Sequence, residues 1–166
     1  MRLVIIGNGD SGKDYAASYI ASKSGLRNCG AVSLHMMPYV AEQMRMDPVK
    51  AYETRREHRE EWAEIIDTYR HGDPACIIRE MFKGGSIIAG VRRRDEFDCA
   101  KEEGLINLTL WIEADVPEDT TNHLTPHDAD HMLFNDKDSV FKESLDYYIK
   151  NHLLTYDDAR HTFNSR

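Results

Sequence analysis

An apolar run, Leu3-Val4-Ile5-Ile6, leads without interruption into Gly7-Asn8-Gly9-Asp10-Ser11-Gly12-Lys13-Asp14. No other stretch restricts the fold of this chain so strongly. The run reads as a buried strand, and the G-x-x-x-x-G-K that follows reads as a phosphate-binding loop opening a helix. Glycines let the chain turn tightly and let backbone N–H groups approach phosphate oxygens. A helix beginning near Gly12 presents the positive end of its dipole, and Lys13 offers a full, mobile charge to the outer phosphates. Asn8, Gly9, Asp10, Ser11, Gly12, Lys13 and Asp14 are therefore the candidate ligands of a nucleoside triphosphate. Asp14 stands where Ser or Thr commonly gives Mg²⁺ a hydroxyl. A carboxylate is also a good Mg²⁺ ligand, so Asp14 is the candidate metal residue.

Strand-length apolar runs then alternate with helix-length periodic segments, the order of a parallel α/β sheet with crossover helices. Strands are expected at about residues 2–6, 31–34, 86–91, 106–112 and 132–134. The first helix is expected over 12–23, with Tyr15, Ala16, Tyr19 and Ile20 on one side and Gly25 at its C-terminal cap. Residues 36–70 read as helical and mobile, broken at Pro38 and Pro48 and filled by flexible methionines. Asp73-Pro74 reads as an N-cap followed by the first helical residue. The helix it starts carries a stripe of Ile77, Ile78, Met81 and Phe82 and ends at Gly84-Gly85. The last helix turns Phe141, Leu145, Tyr148, Ile149 and Leu153 inward, and a polar, loosely ordered tail is expected from Thr155.

At 166 residues one domain with a sizeable core is expected. No apolar run reaches membrane-spanning length, and the chain starts directly on a core strand. Three widely spaced cysteines, Cys29, Cys76 and Cys99, suit buried thiols in a reducing compartment. A cytoplasmic protein is expected. The net charge of −8 argues against binding a nucleic-acid polymer, which needs excess cations. Residues 45–94 nevertheless carry 11 cations against 9 anions, whereas residues 95–166 carry 6 against 17. Cations concentrated mid-chain suit small anionic ligands, and the composition leaves a homodimer open.

Transfer of a phosphoryl group to a second phosphorylated molecule needs another anion site facing the loop. Two arginine groups qualify. In Arg55-Arg56-Glu57-His58-Arg59-Glu60, Arg55 and Arg59 share a helix face if the segment is helical, as do Arg56 and Glu60, which can pair. A solvated, salt-bridged surface helix fits the same residues. Arg92-Arg93-Arg94 leaves the third strand at its carboxyl end, where open α/β sheets gather ligands. A guanidinium fork matches phosphate oxygens, and Arg92 lies nearest the strand. Arg55, Arg59, Arg92 and Arg93 are thus candidates for the acceptor phosphate, with Lys13 and Arg92 as the catalytic pair.

Ser11-Gly12-Lys13-Asp14, Asp73-Pro74, Gly90-Val91-Arg92 and the run from Leu124 to His131, leading through Phe134-Asn135-Asp136 to a helix, resemble bacteriophage deoxynucleoside monophosphate kinases. These are adenylate-kinase-like P-loop kinases, and the resemblance extends over most of the chain. It implies a three-layer α/β/α fold whose five-stranded parallel sheet has the order 2-3-1-4-5. It implies a single domain, 1–166, with a mobile acceptor-binding segment at about 36–70 and a short lid at about 113–131. It further implies ATP and Mg²⁺ as cofactors, a (deoxy)nucleoside monophosphate as acceptor, and the host cytoplasm as location if the chain is phage-encoded.

Three positions depart from the family pattern. Gly90 stands where many relatives have Asp, residues 113–131 contain no lysine or arginine, and Asp10 adds an acid beside the phosphates. Two other functions therefore stay open: a P-loop kinase of another phosphorylated metabolite such as phosphomevalonate, and a non-catalytic nucleotide-binding regulator. His123, His127 and His131 recur at metal-like spacing, but Pro126 interrupts any helix that would align them, and they read as loop residues. Trp62 and Trp111 read as packing residues.

Overall fold

A computed structural model describes residues 1–153; the polar tail expected from Thr155 lies outside the described residues. The chain runs β1 (Leu3–Ile6), α1 (Lys13–Ser24), β2 (Asn28–Ala31), α2 (Val32–Met44), α3 (Pro48–Glu53), α4 (Arg59–Tyr69), α5 (Cys76–Met81), β3 (Ile87–Ala89), α6 (Arg94–Glu102), β4 (Leu108–Glu113), β5 (His131–Phe134) and α7 (Ser139–Tyr148). The five strands form one parallel sheet in the order β2-β3-β1-β4-β5. With seven α-helices among the described residues, this is the expected three-layer α/β/α architecture.

Strand side chains alternate between the two faces of the sheet. Leu3 and Ile5 join Leu110 and Ile112 in a core closed by Ala16, Ala17 and Ile20 of α1 and Phe141, Leu145 and Tyr148 of α7. Val4 and Ile6 pack the opposite core with Met36 and Val40 of α2, Trp62 of α4, Ile77 and Ile78 of α5, and Phe97 of α6. Because β1 is buried on both faces, its sequence is apolar at every position.

Several local expectations shift. The second strand lies at Asn28–Ala31, and Val32, expected in that strand, opens α2. Inside this strand Asn28 folds its side chain onto the Gly30 N–H and Gly30 takes φ +88°, where the register of β2 on β3 shifts. Pro38 does not break α2, which runs through it. Pro48 begins a helix: it is the first residue of α3, capped by Asp47, which accepts from the Val49 and Lys50 N–H groups. The α5 helix starts at Cys76, two residues beyond Pro74; Pro74 and Ala75 form a turn closed by the Cys76 N–H on the Asp73 carbonyl at 3.1 Å, while the Asp73 carboxylate pairs with Arg79 at 2.9 Å. In α1 the buried stripe is Ala16, Ala17 and Ile20, while Tyr15 is exposed. Gly25 does cap that helix in the left-handed region. Cys29, Cys76 and Cys99 are free thiols, partly rather than fully buried. No helix among the described residues is long and apolar enough to cross a membrane.

Candidate functional site at the carboxyl edge of the sheet

The loops leaving β1, β2, β3 and β4 all emerge at one edge of the sheet and, with α4, enclose one pocket. It is lined by Lys13 and Asp14 from the first loop, Val32 after β2, Gly90, Arg92 and Arg93 after β3, and Thr121 after β4. One face of α4, Arg59-Trp62-Ala63-Ile66-Asp67, supplies a long wall. That spacing is one helical stripe.

The first loop is shaped for close approach. Gly7 has φ +145°, and a Cβ there would meet the Ile112 carbonyl at 2.5 Å. Gly12, the N-cap of α1, has φ +94°, and a Cβ there would collide with the Asn135 amide. Asn135, just past β5, donates from Nδ2 to the Ser11 carbonyl at 2.9 Å, tying the loop to the far end of the sheet. The N-terminus of α1 carries no side-chain cap, so its first N–H groups can meet an anion. Lys13 is nearly buried and donates from Nζ to the Asn8 carbonyl. Burial, reinforced by the charge of Arg92, lowers its pKa to about 8.

Across the pocket, Arg59 and Arg92 converge on Asp119. Arg92 Nη1 is 2.6 Å and Arg59 Nη1 2.9 Å from Asp119 Oδ2, whose side chain is fully buried. Thr121 donates from Oγ1 to Asp119 Oδ1 at 2.7 Å. Burial alone would raise the Asp119 pKa, but Arg92, Thr121 and Arg59 outweigh it and hold the carboxyl below the ordinary range. Burial also lowers the pKa of Arg92; Asp119 opposes the shift, and the neighbouring Arg59 and Arg55 charges add to it. The Arg59–Asp119 pair lies against the loop itself, since a Cβ on Gly9 would come within 2.9 Å of Arg59 Nη1.

All four expected acceptor arginines, Arg55, Arg59, Arg92 and Arg93, line this pocket. Arg55 and Arg59 do not share a helix: Arg55 lies in the turn before α4, over the Tyr52 ring at 3.9 Å. Among the described residues Arg55 makes no carboxylate pair. Arg93 bonds Asp67, with Nη2 2.6 Å from Oδ2. Arg94 turns away and grips Asp128, with Nη2 2.7 Å from Oδ2, pulling that carboxyl down to about 2. Arg56 does not pair with Glu60; it bonds Asp10 of the first loop and lines the pocket.

Segment 113–131 carries no cation, but it is pinned to the site. The His123 N–H donates to the Arg92 carbonyl at 2.8 Å, and Asn122 Nδ2 to Asn8 Oδ1 at 3.2 Å. His123, His127 and His131 lie in a loop, a 3₁₀ turn and a strand, and among the described residues no three His, Cys, Asp or Glu groups form a cation cage. Mg²⁺ needs no such cage, because it keeps waters and takes one or two carboxylates together with substrate phosphates. Asp14, exposed and lining the pocket beside Lys13, fits that requirement.

Asp119 and Glu96 were not foreseen from the sequence. Glu96 lines the pocket from the first turn of α6, is 2 % exposed, and its Oε1 has no hydrogen-bond partner. Burial pushes its pKa up to about 7; the Arg70 charge opposes this without offsetting it, and Asp95 and Asp67 add to it. Trp62 is buried as expected, but it also lines the pocket, and its Nε1 lacks a partner. Trp111 packs in the core and donates to Glu113 at 2.7 Å. No protein-family model and no curated protein matches the chain.

Proposed function

We propose that this protein transfers the γ-phosphoryl group of ATP to a (deoxy)nucleoside monophosphate. One observation carries the reading: Lys13 and Asp14 open into the same pocket as Arg55, Arg59, Arg92 and Arg93, and that pocket continues along α4 past Trp62 and Ile66. A donor-phosphate cradle, a cluster of cations and an apolar slot then lie in sequence, as two phosphorylated substrates require.

In this reading the backbone of residues 8–14 and the α1 N-terminus hold the donor phosphates, and Lys13 follows the migrating group. Asp14 would hold Mg²⁺, which supplies charge neutralisation when bound. Arg92, with Arg59 and Arg55, draws the acceptor phosphate into line. An acceptor oxygen forms the new bond to the γ-phosphorus. The bond to the β–γ bridging oxygen breaks, and its electron pair leaves with ADP. The protein contributes positioning and charge neutralisation. Gly90, where relatives have Asp, takes φ +82° and lines the pocket. A left-handed backbone favours glycine there and leaves Asp14 as the metal carboxylate.

The test is ADP release measured over a panel of nucleoside monophosphates and phosphorylated isoprenoid precursors. Release with nucleotides alone supports the proposal. Release with an isoprenoid phosphate, or ATP binding without turnover on any acceptor, would replace it.

A further inference from the structure

The pocket has direction. Arg59 lies against Gly9 at the phosphate end. Asp67 lies eight residues further along α4, about 12 Å at 1.5 Å per residue, and is joined there by Arg93 and Glu96. Between these ends the lining is Trp62, Ala63, Ile66 and Val32. An apolar slot ending in a few polar groups is the usual form of a small-molecule site.

At that far end a carboxylate is buried with Oε1 lacking any hydrogen-bond partner. Arg70, whose charge acts on Glu96, is engaged through Nη2 by Asp67 at 2.6 Å and through Nη1 by Asp95 at 3.4 Å, and its Nε, likewise without a partner, makes no hydrogen bond to Glu96. Buried polar groups in folded proteins are nearly always satisfied, so this oxygen is suited to a ligand donor. We infer that Glu96 reads the base of the acceptor and selects guanine. Above about pH 7 Glu96 is ionised, and an ionised carboxylate only accepts hydrogen bonds. Guanine offers it two adjacent donors, N1–H and N2–H. Adenine and cytosine pair each donor with an acceptor on that edge, and thymine sets one donor between two carbonyls. Those acceptors would face carboxylate oxygens without a proton between them. Guanine also carries O6 and N7 as acceptors, which suit the unpartnered Trp62 indole N–H on the same wall.

This inference rests on the phosphoryl-transfer reading for its physiological meaning but is tested without turnover. Calorimetry on the whole chain at pH 8, where Glu96 is ionised, and with no ATP present, compares GMP, inosine monophosphate, AMP, CMP and TMP. GMP is expected to bind tightest. Inosine monophosphate, which lacks the 2-amino group, is expected to bind about 100-fold more weakly. In Glu96→Gln the GMP advantage should disappear while ATP binding remains. Equal binding of GMP and inosine monophosphate, a different preferred base, or an unchanged ranking in Glu96→Gln overturns the assignment. Should the variant misfold, the inosine comparison on the unaltered protein still decides. A guanine preference with no ADP release would instead sink the kinase reading and leave this one standing.

Discussion

Asp119 Oδ2 lies 2.6 Å from Nη1 of Arg92, in a carboxylate fully withdrawn from solvent. The residues are 27 apart in sequence, and Arg59 shares the same oxygen. An acid from the cation-free segment thus aims two of the arginines proposed for the acceptor phosphate. Removing one partner of a buried pair leaves the other charge uncompensated. Asp119→Asn is expected to lower unfolding free energy by about 1–3 kcal/mol, read from urea melts. An unchanged midpoint would show that the arginines hold their places without it.

Arg92→Ala should lower turnover about 1000-fold, equivalent to ~4 kcal/mol of transition-state stabilisation, while ATP still binds. Steady-state kinetics and calorimetry on the same preparation check this. Wild-type turnover in the variant rejects the role.

If Lys13 meets the donor phosphates as proposed, it ties nucleotide affinity to pH. Its pKa falls from 10.5 to about 8 on folding. Between those values the unfolded chain holds a proton that the folded chain has released, so this group's contribution to stability rises with pH across that window. A triphosphate requires the charged amine. ATP affinity should therefore decline as pH rises above about 8, with proton uptake on binding that is visible as buffer-dependent heat. Lys13→Ala should bind weakly and show no such decline.

Glu96 acts in the opposite sense on stability. Its pKa rises from 4.5 to about 7 on folding. The folded chain holds the extra proton between these values, so stability falls as pH rises from 4.5 to 7. Glu96→Gln removes that slope. At pH 8 it should be more stable than the natural sequence by about 3 kcal/mol, and at pH 4 nearly equal to it. Thermal melts at both values test this. A stabilised variant that also loses guanine selection would mark Glu96 as a residue kept for recognition against a cost in stability.

The strand–loop–helix at the amino end was legible because its signals are local: an apolar run, spaced glycines, a lysine. The sheet order followed from the resemblance. Ala31-Val32-Ser33-Leu34 suits a strand by composition, yet Val32 opens α2 and packs into the core from there. Pro38 suits a helix break by composition, yet α2 continues through it. Asp119 and Glu96 could not be read because burial and long-range partners create their roles. In sequence, Glu96 is an ordinary helix-start acid, and Asp119 one of many acids in a polar stretch.

Asn135 binds Ser11 across 124 positions of sequence. The curve of the first loop is therefore clamped only when β5, the last of the five described strands, is in place. If that loop holds ATP as proposed, a chain cut before Asn135 should bind it far more weakly than the whole chain.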